Sequence, residues 1–324
     1  MKKIAVFTSG GDAPGMNACI RAVVRAGLHY NMEVLGIKRG YQGMIEGDFV
    51  ELNSRSVGNI IQRGGTMLGS ARSDEFRTAE GRKKAYDQLK KYGVDGVVAI
   101  GGDGTFTGAK IFMEEYGDIA FVGAPGTIDN DLFGTDYTIG YDTAINTAME
   151  AIDKIKDTAD AHDRLFFVEV MGRDAGFIAM RTGIATGAEA VLVPETKTYI
   201  DDLVASLERN AARNKMSNII VVAEGDDEGG AFEIAKKVKE RIDVFDVKVT
   251  ILGHIQRGGR PTCMDRVLSS RLGIAAVEAL AAGEKGIMVG QRHKNINYVP
   301  FEKAIKHNQR LSPYLEDIAR ILSI

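Results

Sequence analysis

The feature that most constrains this chain is a recurring unit: a short apolar run, glycines at its end, then an amphipathic stretch. Ile4–Thr8 runs into Ser9-Gly10-Gly11-Asp12-Ala13-Pro14-Gly15, and a helix is expected from about Met16 to Tyr30. Gly96–Ile100 runs into Gly101-Gly102-Asp103-Gly104, with a helix expected to about Glu115. Further strands are expected at Glu33–Lys38, Ala120–Gly123, Phe166–Val170, Ala190–Val193, Asn218–Ala223 and Lys248–Leu252. Helices are expected at Lys83–Tyr92, Tyr141–Asp157, Gly176–Thr186, Ile200–Asn214, Ala231–Arg241, Met264–Ala282 and Leu311–Leu322. Strands alternating with helices imply βαβ units. Nearly every strand is apolar throughout, as parallel sheets covered by helices on both faces require. Ligands of such sheets bind beyond the carboxyl ends of the strands, where these glycine loops fall. A length of 324 residues suggests two domains at about 150 residues each. Element count puts a boundary near residue 139.

Composition removes several function classes. The net charge is −3, with no block of like charge, which argues against a nucleic-acid or polybasic membrane surface. Cys19 and Cys263 are the two cysteines, so a disulfide scaffold is excluded and a reducing compartment is expected. The five histidines are scattered and no HExxH or CxxC occurs, against structural zinc. Ile4–Phe7 is too short for a signal-peptide core. No stretch approaches the ~18 apolar residues of a membrane helix, so a cytoplasmic protein is expected. Glycine contributes 38 residues and proline 6, without low complexity, which points to backbone-mediated ligand loops.

The loops then supply chemistry. A strand ending in glycines ahead of a helix presents free N–H groups and the positive end of the helix dipole, which together bind phosphate. Gly10–Gly15 fits that description, or forms a tight turn. In Gly101–Thr105 the small residues let a polyphosphate approach the main chain, and Asp103 can hold a hydrated Mg²⁺. The alternative is that Asp103 caps the helix at Gly104. The spacing is GxGxxxG and no GK[ST] follows, so this is neither a Walker loop nor a dinucleotide fingerprint. In Pro125–Asp131, Asp129 and Asp131 stand at i and i+2, facing one side of an extended loop. One can take a proton from a hydroxyl nucleophile while the other orients a sugar or metal. The plainer alternative is an Asx-turn with solvated acids. Arg72, Arg77, Arg164, Arg173, Lys248 and Arg257 stand singly at loops. Around Arg173 and in His254–Gly259 the guanidinium forks lie beside glycines, which suits phosphate oxygens. Solvated surface ion pairs are the alternative. The residues alone read as a Mg²⁺-dependent phosphoryl transferase with a carboxylate base, a hydroxyl acceptor and a phosphorylated substrate.

The segments TSGGDAPGMN, RGGT, GGDG, PGTIDND, DKIKDT, VEVMGR, AEG and LGHIQRGG, with the start of the Met264–Ala282 helix, resemble in order and spacing the bacterial-type ATP-dependent 6-phosphofructokinases. The resemblance covers essentially the whole chain. It implies an α/β fold of two Rossmann-like α/β/α domains with mostly parallel sheets. An ATP-binding domain would take residues 1–138 plus about 256–300, and a fructose 6-phosphate-binding domain 139–255 plus about 301–324. It implies transfer of the γ-phosphoryl group of ATP to the 1-hydroxyl of fructose 6-phosphate, a glycolytic step, with Asp129 as general base and Asp103 holding Mg²⁺. Gly11, Arg72, Thr127 and Arg173 would stabilise the transferring phosphoryl group. Nucleotide contacts would be Gly11, Tyr41, Arg72, Ser73, Arg77, Gly102, Asp103, Gly104, Thr105, Thr107 and Gly108. Sugar-phosphate contacts would be Thr127, Asp129, Asp131, Met171, Gly172, Arg173, Glu224, His254 and Arg257, with Arg164 and Lys248 reaching in from a neighbouring subunit of a homotetramer. No nucleic-acid or membrane partner is implied.

Gly104 favours ATP over pyrophosphate, because relatives using pyrophosphate tend to carry Asp there, and a carboxylate would repel the α-phosphate. Lys248 stands where the family usually has Arg, keeping the charge but losing the bidentate fork. An effector site is implied at Arg21, Arg25, Arg55, Lys156, Glu189, Arg213 and Lys215, with a solvated basic face as the alternative. Two other functions stay open on the sequence: a pyrophosphate-dependent phosphofructokinase, and a catalytically silent sugar-phosphate sensor.

Overall fold

The structure is a computed structural model that describes residues 1–161, 164–213, 218–305 and 310–322. The elements in chain order are β1 (Lys3–Thr8), α1 (Met16–His29), β2 (Glu33–Ile37), α2 (Gly40–Glu46), β3 (Phe49–Leu52), α3 (Ala79–Lys91), β4 (Gly96–Gly101), α4 (Asp103–Glu115) and β5 (Ala120–Pro125). There follow α5 (Tyr141–Asp160), β6 (Arg164–Val170), α6 (Phe177–Thr186), β7 (Ala190–Leu192), α7 (Ile200–Ala212), β8 (Asn218–Ala223), α8 (Ala231–Lys239) and β9 (Asp246–Ile251). The chain closes with α9 (Cys263–Ala281), β10 (Ile287–Arg292), β11 (Asn295–Pro300), α10 (Phe301–Ala304) and α11 (Pro313–Leu322). Two compact units result: Met1–Ile128 with Leu132–Thr143 and Arg257–Gln309, and Asp129–Asp131 with Ala144–Gln256 and Arg310–Ile324.

The first unit holds a seven-stranded sheet in the order β11-β10-β5-β4-β1-β2-β3. Its middle strands pair in parallel, while β3 and β11 are antiparallel edges. The parallel strands are those whose apolar runs end in loops and helices; β1, β4 and β5 are buried along almost their whole length. The alternation of the sequence does not mark β3, β10 and β11: the edge strands β3 and β11 keep polar residues among the apolar ones, and the inner strand β10 ends in polar Gln291 and Arg292. Phe7, Phe106, Phe112 and Phe121 fill the core on one side of the sheet, each worth about 1.5–3 kcal/mol of burial. On the other side α1 lies against α9. Gly273 allows that contact: a Cβ there would stand 2.7 Å from Ala22 Cβ and 2.8 Å from Cys19 O.

The second unit holds a fully parallel sheet in the order β7-β8-β6-β9. Helices α7 and α8 cover one face of it, burying Leu203, Leu207, Ile234 and Val238 against Leu165, Phe167, Ile220 and Val222. No helix of the described residues is long and apolar enough to cross a membrane.

Candidate active site

In the first sheet the chain order reverses between β1 and β4, and ligands of such a sheet bind beyond the carboxyl ends of the strands at that point. The two glycine loops lie there, joined by Ser9 N donating to Ile100 O at 3.0 Å. Helix α4 starts at Asp103 with Gly102 as its N-cap and no side chain capping it. The capping alternative for Asp103 therefore fails: its carboxylate sits inside the first turn, where the dipole favours negative charge. A Cβ at Gly104 would meet no atom within 4 Å, so open space lies over this turn. Thr107 Oγ1 donates back to Asp103 O at 2.9 Å. At Gly11 a Cβ would stand 2.3 Å from Arg257 Nη1, so the Arg257 guanidinium rests over the first loop. Asn17 ties the RGGT segment to α1, donating to Arg63 O and Gly64 O and accepting from Met67 N.

Tyr41 is buried, 6% exposed, and stacks on Phe76 with ring centroids 3.9 Å apart. Its ring lies where a Cβ at Gly108 would be 3.1 Å away, and its hydroxyl donates to Thr105 O at 2.5 Å. Burial pushes its pKa far up, so it stays a protonated donor. Ser73 Oγ donates to Gln42 Oε1 at 2.8 Å. Arg72 and Arg77 are exposed, Arg77 with Nε 3.8 Å from Asp74.

The TIDND segment is not extended: Asn130 is left-handed, φ 55°, so the i, i+2 argument does not describe it. Nor are its acids solvated, Asp129 being 2% and Asp131 9% exposed. Thr127 O accepts from Thr138 Oγ1 at 2.6 Å. Within the second unit Arg173 Nη2 lies 3.9 Å from Asp129 Oδ2. Arg173 is itself left-handed, φ 54°. Its N–H donates to Glu224 Oε1 at 2.6 Å, and that of Gly172 to the same oxygen at 3.3 Å. Met171 is buried beside them in sequence.

On the sheet edge, register sets Arg164 of β6 opposite Asp246 of β9. Asp246 accepts from Arg164 Nε at 3.3 Å and pairs with Lys248 Nζ at 2.7 Å. Lys248 first, then Arg164, holds the Asp246 carboxyl below its usual range. One carboxylate thus gathers two cations that the sequence reading treats singly. His254 is exposed and Arg257 half-buried.

Of the effector candidates, Arg21 and Arg25 share a face of α1, and burial, then the Arg25 charge, lowers the Arg21 pKa. Arg55 is exposed in the same unit. In the second unit Lys156 Nζ donates to Thr186 O at 2.6 Å, and Glu189 Oε2 accepts from Asn210 at 3.0 Å. Arg213 caps the end of α7. Lys215 lies outside the described residues.

Among the described residues no group of three or more His, Cys, Asp or Glu is placed to hold a metal. Mg²⁺ needs no such cage, since it keeps waters and binds through one or two carboxylates plus substrate phosphates. Asp103, beside the open space at Gly104, fits that demand.

Three carboxylates escape sequence reasoning. Asp246 stands between Phe245 and Val247, with no motif around it. Glu195 accepts from Gly176 N at the start of α6. Asp265 accepts from Gly140 N and Thr143 N at 2.8 Å each, at the start of α5. An acid just past an apolar strand, as in Ala190–Glu195, is the faint signal that would have found Glu195.

Comparison with known proteins adds independent findings. A family model described as phosphofructokinase matches residues 3–280. The ATP-dependent 6-phosphofructokinase of Cytophaga hutchinsonii is 57% identical over 323 residues, covering 100% of this chain and 98% of its own. ATP-dependent 6-phosphofructokinase 1 of Thermus thermophilus is 55% identical over 324 residues, covering 100% of both chains. The solved phosphofructokinase of Saccharomyces cerevisiae superposes with a TM-score of 0.89 at 36% identity over 100% of this chain. This chain spans about half of that yeast chain, 48%.

Proposed function

The chain belongs to the phosphofructokinase family, and on that premise we propose that it transfers the γ-phosphoryl group of ATP to the 1-hydroxyl of fructose 6-phosphate. The products are ADP and fructose 1,6-bisphosphate. The full-length relatives carry that activity in their names. The observation that carries the reading is a nearly fully buried carboxylate, Asp129, with a guanidinium 3.9 Å away.

Asp129 takes the proton of the 1-hydroxyl as its oxygen bonds to the γ-phosphorus and the bond to ADP breaks. Arg173 offsets the charge on the phosphoryl oxygens, with Arg72, Thr127 and the Gly11 backbone as further donors. The first unit receives the nucleotide: its phosphates lie against the N–H groups of Gly10–Gly15 and of the α4 start. Tyr41, Ser73, Arg77, Thr105, Thr107 and Gly108 shape that pocket. Asp103 holds Mg²⁺, which when bound neutralises phosphate charge. The second unit supplies Asp131, Met171, Gly172 and Glu224 for the sugar phosphate, joined by His254 and Arg257. In a homotetramer Arg164 and Lys248 serve the neighbour's sugar phosphate, and Arg21, Arg25, Arg55, Lys156, Glu189, Arg213 and Lys215 take an effector.

A coupled assay for fructose 1,6-bisphosphate tests the reading. Asp129→Ala lowers kcat by about 10²–10⁴-fold while nucleotide binding persists. Near-normal turnover in that variant removes the base assignment, and turnover with pyrophosphate in place of ATP removes the donor.

A further inference from the structure

The segment Met171–Gly176 joins β6 to α6 and carries Arg173 in a conformation that residues with a Cβ seldom adopt. Its neighbours are pressed close. A Cβ at Gly172 (φ 147°) would stand 2.3 Å from Ala175 O, and one at Gly225 2.2 Å from Arg173 O. Ala175 N donates to Gly172 O at 3.0 Å and closes a turn inside the segment. A backbone bent in this way persists only where its surroundings over-determine it.

Two carboxylates from other strands do so. Glu224, just past β8, accepts the N–H of Gly172 and Arg173 at the near end. Glu195, after β7, accepts the N–H of Gly176 at the far end, Oε1 at 2.9 Å and Oε2 at 3.1 Å. Gly176 is glycine for this contact: a Cβ would stand 2.7 Å from Glu195 Oε2 and 2.5 Å from Val193. Gly176 is also the N-cap of α6, so Glu195 accepts the N-cap N–H, as a Glu or Gln at the third helical position does in a capping box. Burial, and then the neighbouring Glu316 of α11, raise the Glu195 carboxyl above its usual range.

We propose that Glu195 is a positioning residue for phosphoryl transfer: with Glu224 it clamps the two ends of the Arg173 loop and so aims the guanidinium at the reacting phosphoryl group beside Asp129. The proposal rests on the role given to Arg173 above. A misplacement of about 1 Å in such a group costs about 10²-fold in rate, so the clamp is visible in kcat rather than in ATP binding.

A double-mutant cycle on the full chain tests it. Arg173→Ala, Glu195→Ala and the pair are compared by kcat, by KM for ATP and by thermal midpoint. Glu195→Ala is expected to lower kcat about 10–100-fold with KM for ATP within about twofold. In the Arg173→Ala background the same change is expected to cost less than about twofold, because the group it positions is gone. Glu195→Gln, which keeps an acceptor for Gly176, restores most of the lost kcat. If Glu195→Ala does not fold, the cycle is read with Glu195→Asp, whose shorter arm withdraws the acceptor. Equal losses in both backgrounds, or full kcat in Glu195→Ala, overturn the positioning role. Full kcat in Arg173→Ala instead overturns the role of Arg173, and the proposal with it.

Discussion

Asp265 carries a prediction whose size follows from its surroundings. It is fully buried, 0% exposed, in the first turn of α9. Its carboxylate caps α5 across a long sequence separation, accepting from Gly140 N, Thr143 N and Thr143 Oγ1. Burial raises its pKa from 3.8 to about 6, the hydrogen bonds offsetting part of the shift. A raised acid binds its proton more tightly in the native state than in the unfolded one. Its contribution to stability is then complete below about pH 4 and is lost as pH climbs through about 6. Roughly two pKa units at 1.36 kcal/mol each give about 3 kcal/mol. Asp95, Glu115 and Asp118 are shifted downward and run the opposite way, so the effect must be read as a difference. Denaturant unfolding of the wild type and Asp265→Asn is measured from pH 4 to 7. The stability of the wild type relative to the variant falls by about 2 kcal/mol across that range, the rest of the ~3 kcal/mol being lost below pH 4. A difference that stays flat with pH refutes the assignment of a protonatable buried acid at this cap.

Other outcomes can be checked alongside. Gly104→Asp should fold normally, since a side chain there meets no protein atom within 4 Å. A carboxylate about 4 Å from a phosphate at an effective dielectric of about 20 repels it by about 4 kcal/mol, so KM for ATP rises by orders of magnitude in steady-state assays. Lys248→Arg restores a fork on a strand where Asp246 already holds the cation, and KM for fructose 6-phosphate is expected to fall severalfold while kcat holds. Gly273→Val forces α1 from α9, where even a Cβ stands 2.7 Å from Ala22 Cβ, and a thermal melt should show about 1–3 kcal/mol of lost stability.

Much of the scaffold is legible without coordinates. Ile4–Thr8, Gly96–Ile100 and Asn218–Ala223 are apolar along their length because both faces are covered, and the structure places β1, β4 and β8 there. The antiparallel edges β3 and β11 are not legible, since half-exposed strands carry mixed residues. Within the candidate site, Gly104 and Asp103 follow from loop spacing, whereas the left-handed turn at Asn130 does not, because Asn adopts that conformation only where the chain around it demands it.

Local pattern is enough to say which residues make the strands covered on both faces, which loops end in open backbone and which side chains can donate, accept or titrate, since each of these depends on neighbours a few positions away. It does not say which carboxylate meets which N–H group. Glu195 lies 19 residues from Gly176, and Asp265 lies 125 from Gly140. Those partners come together only after strand order and helix packing have put distant segments side by side, and that long-range pairing is where Arg173 and the start of α5 acquire their support.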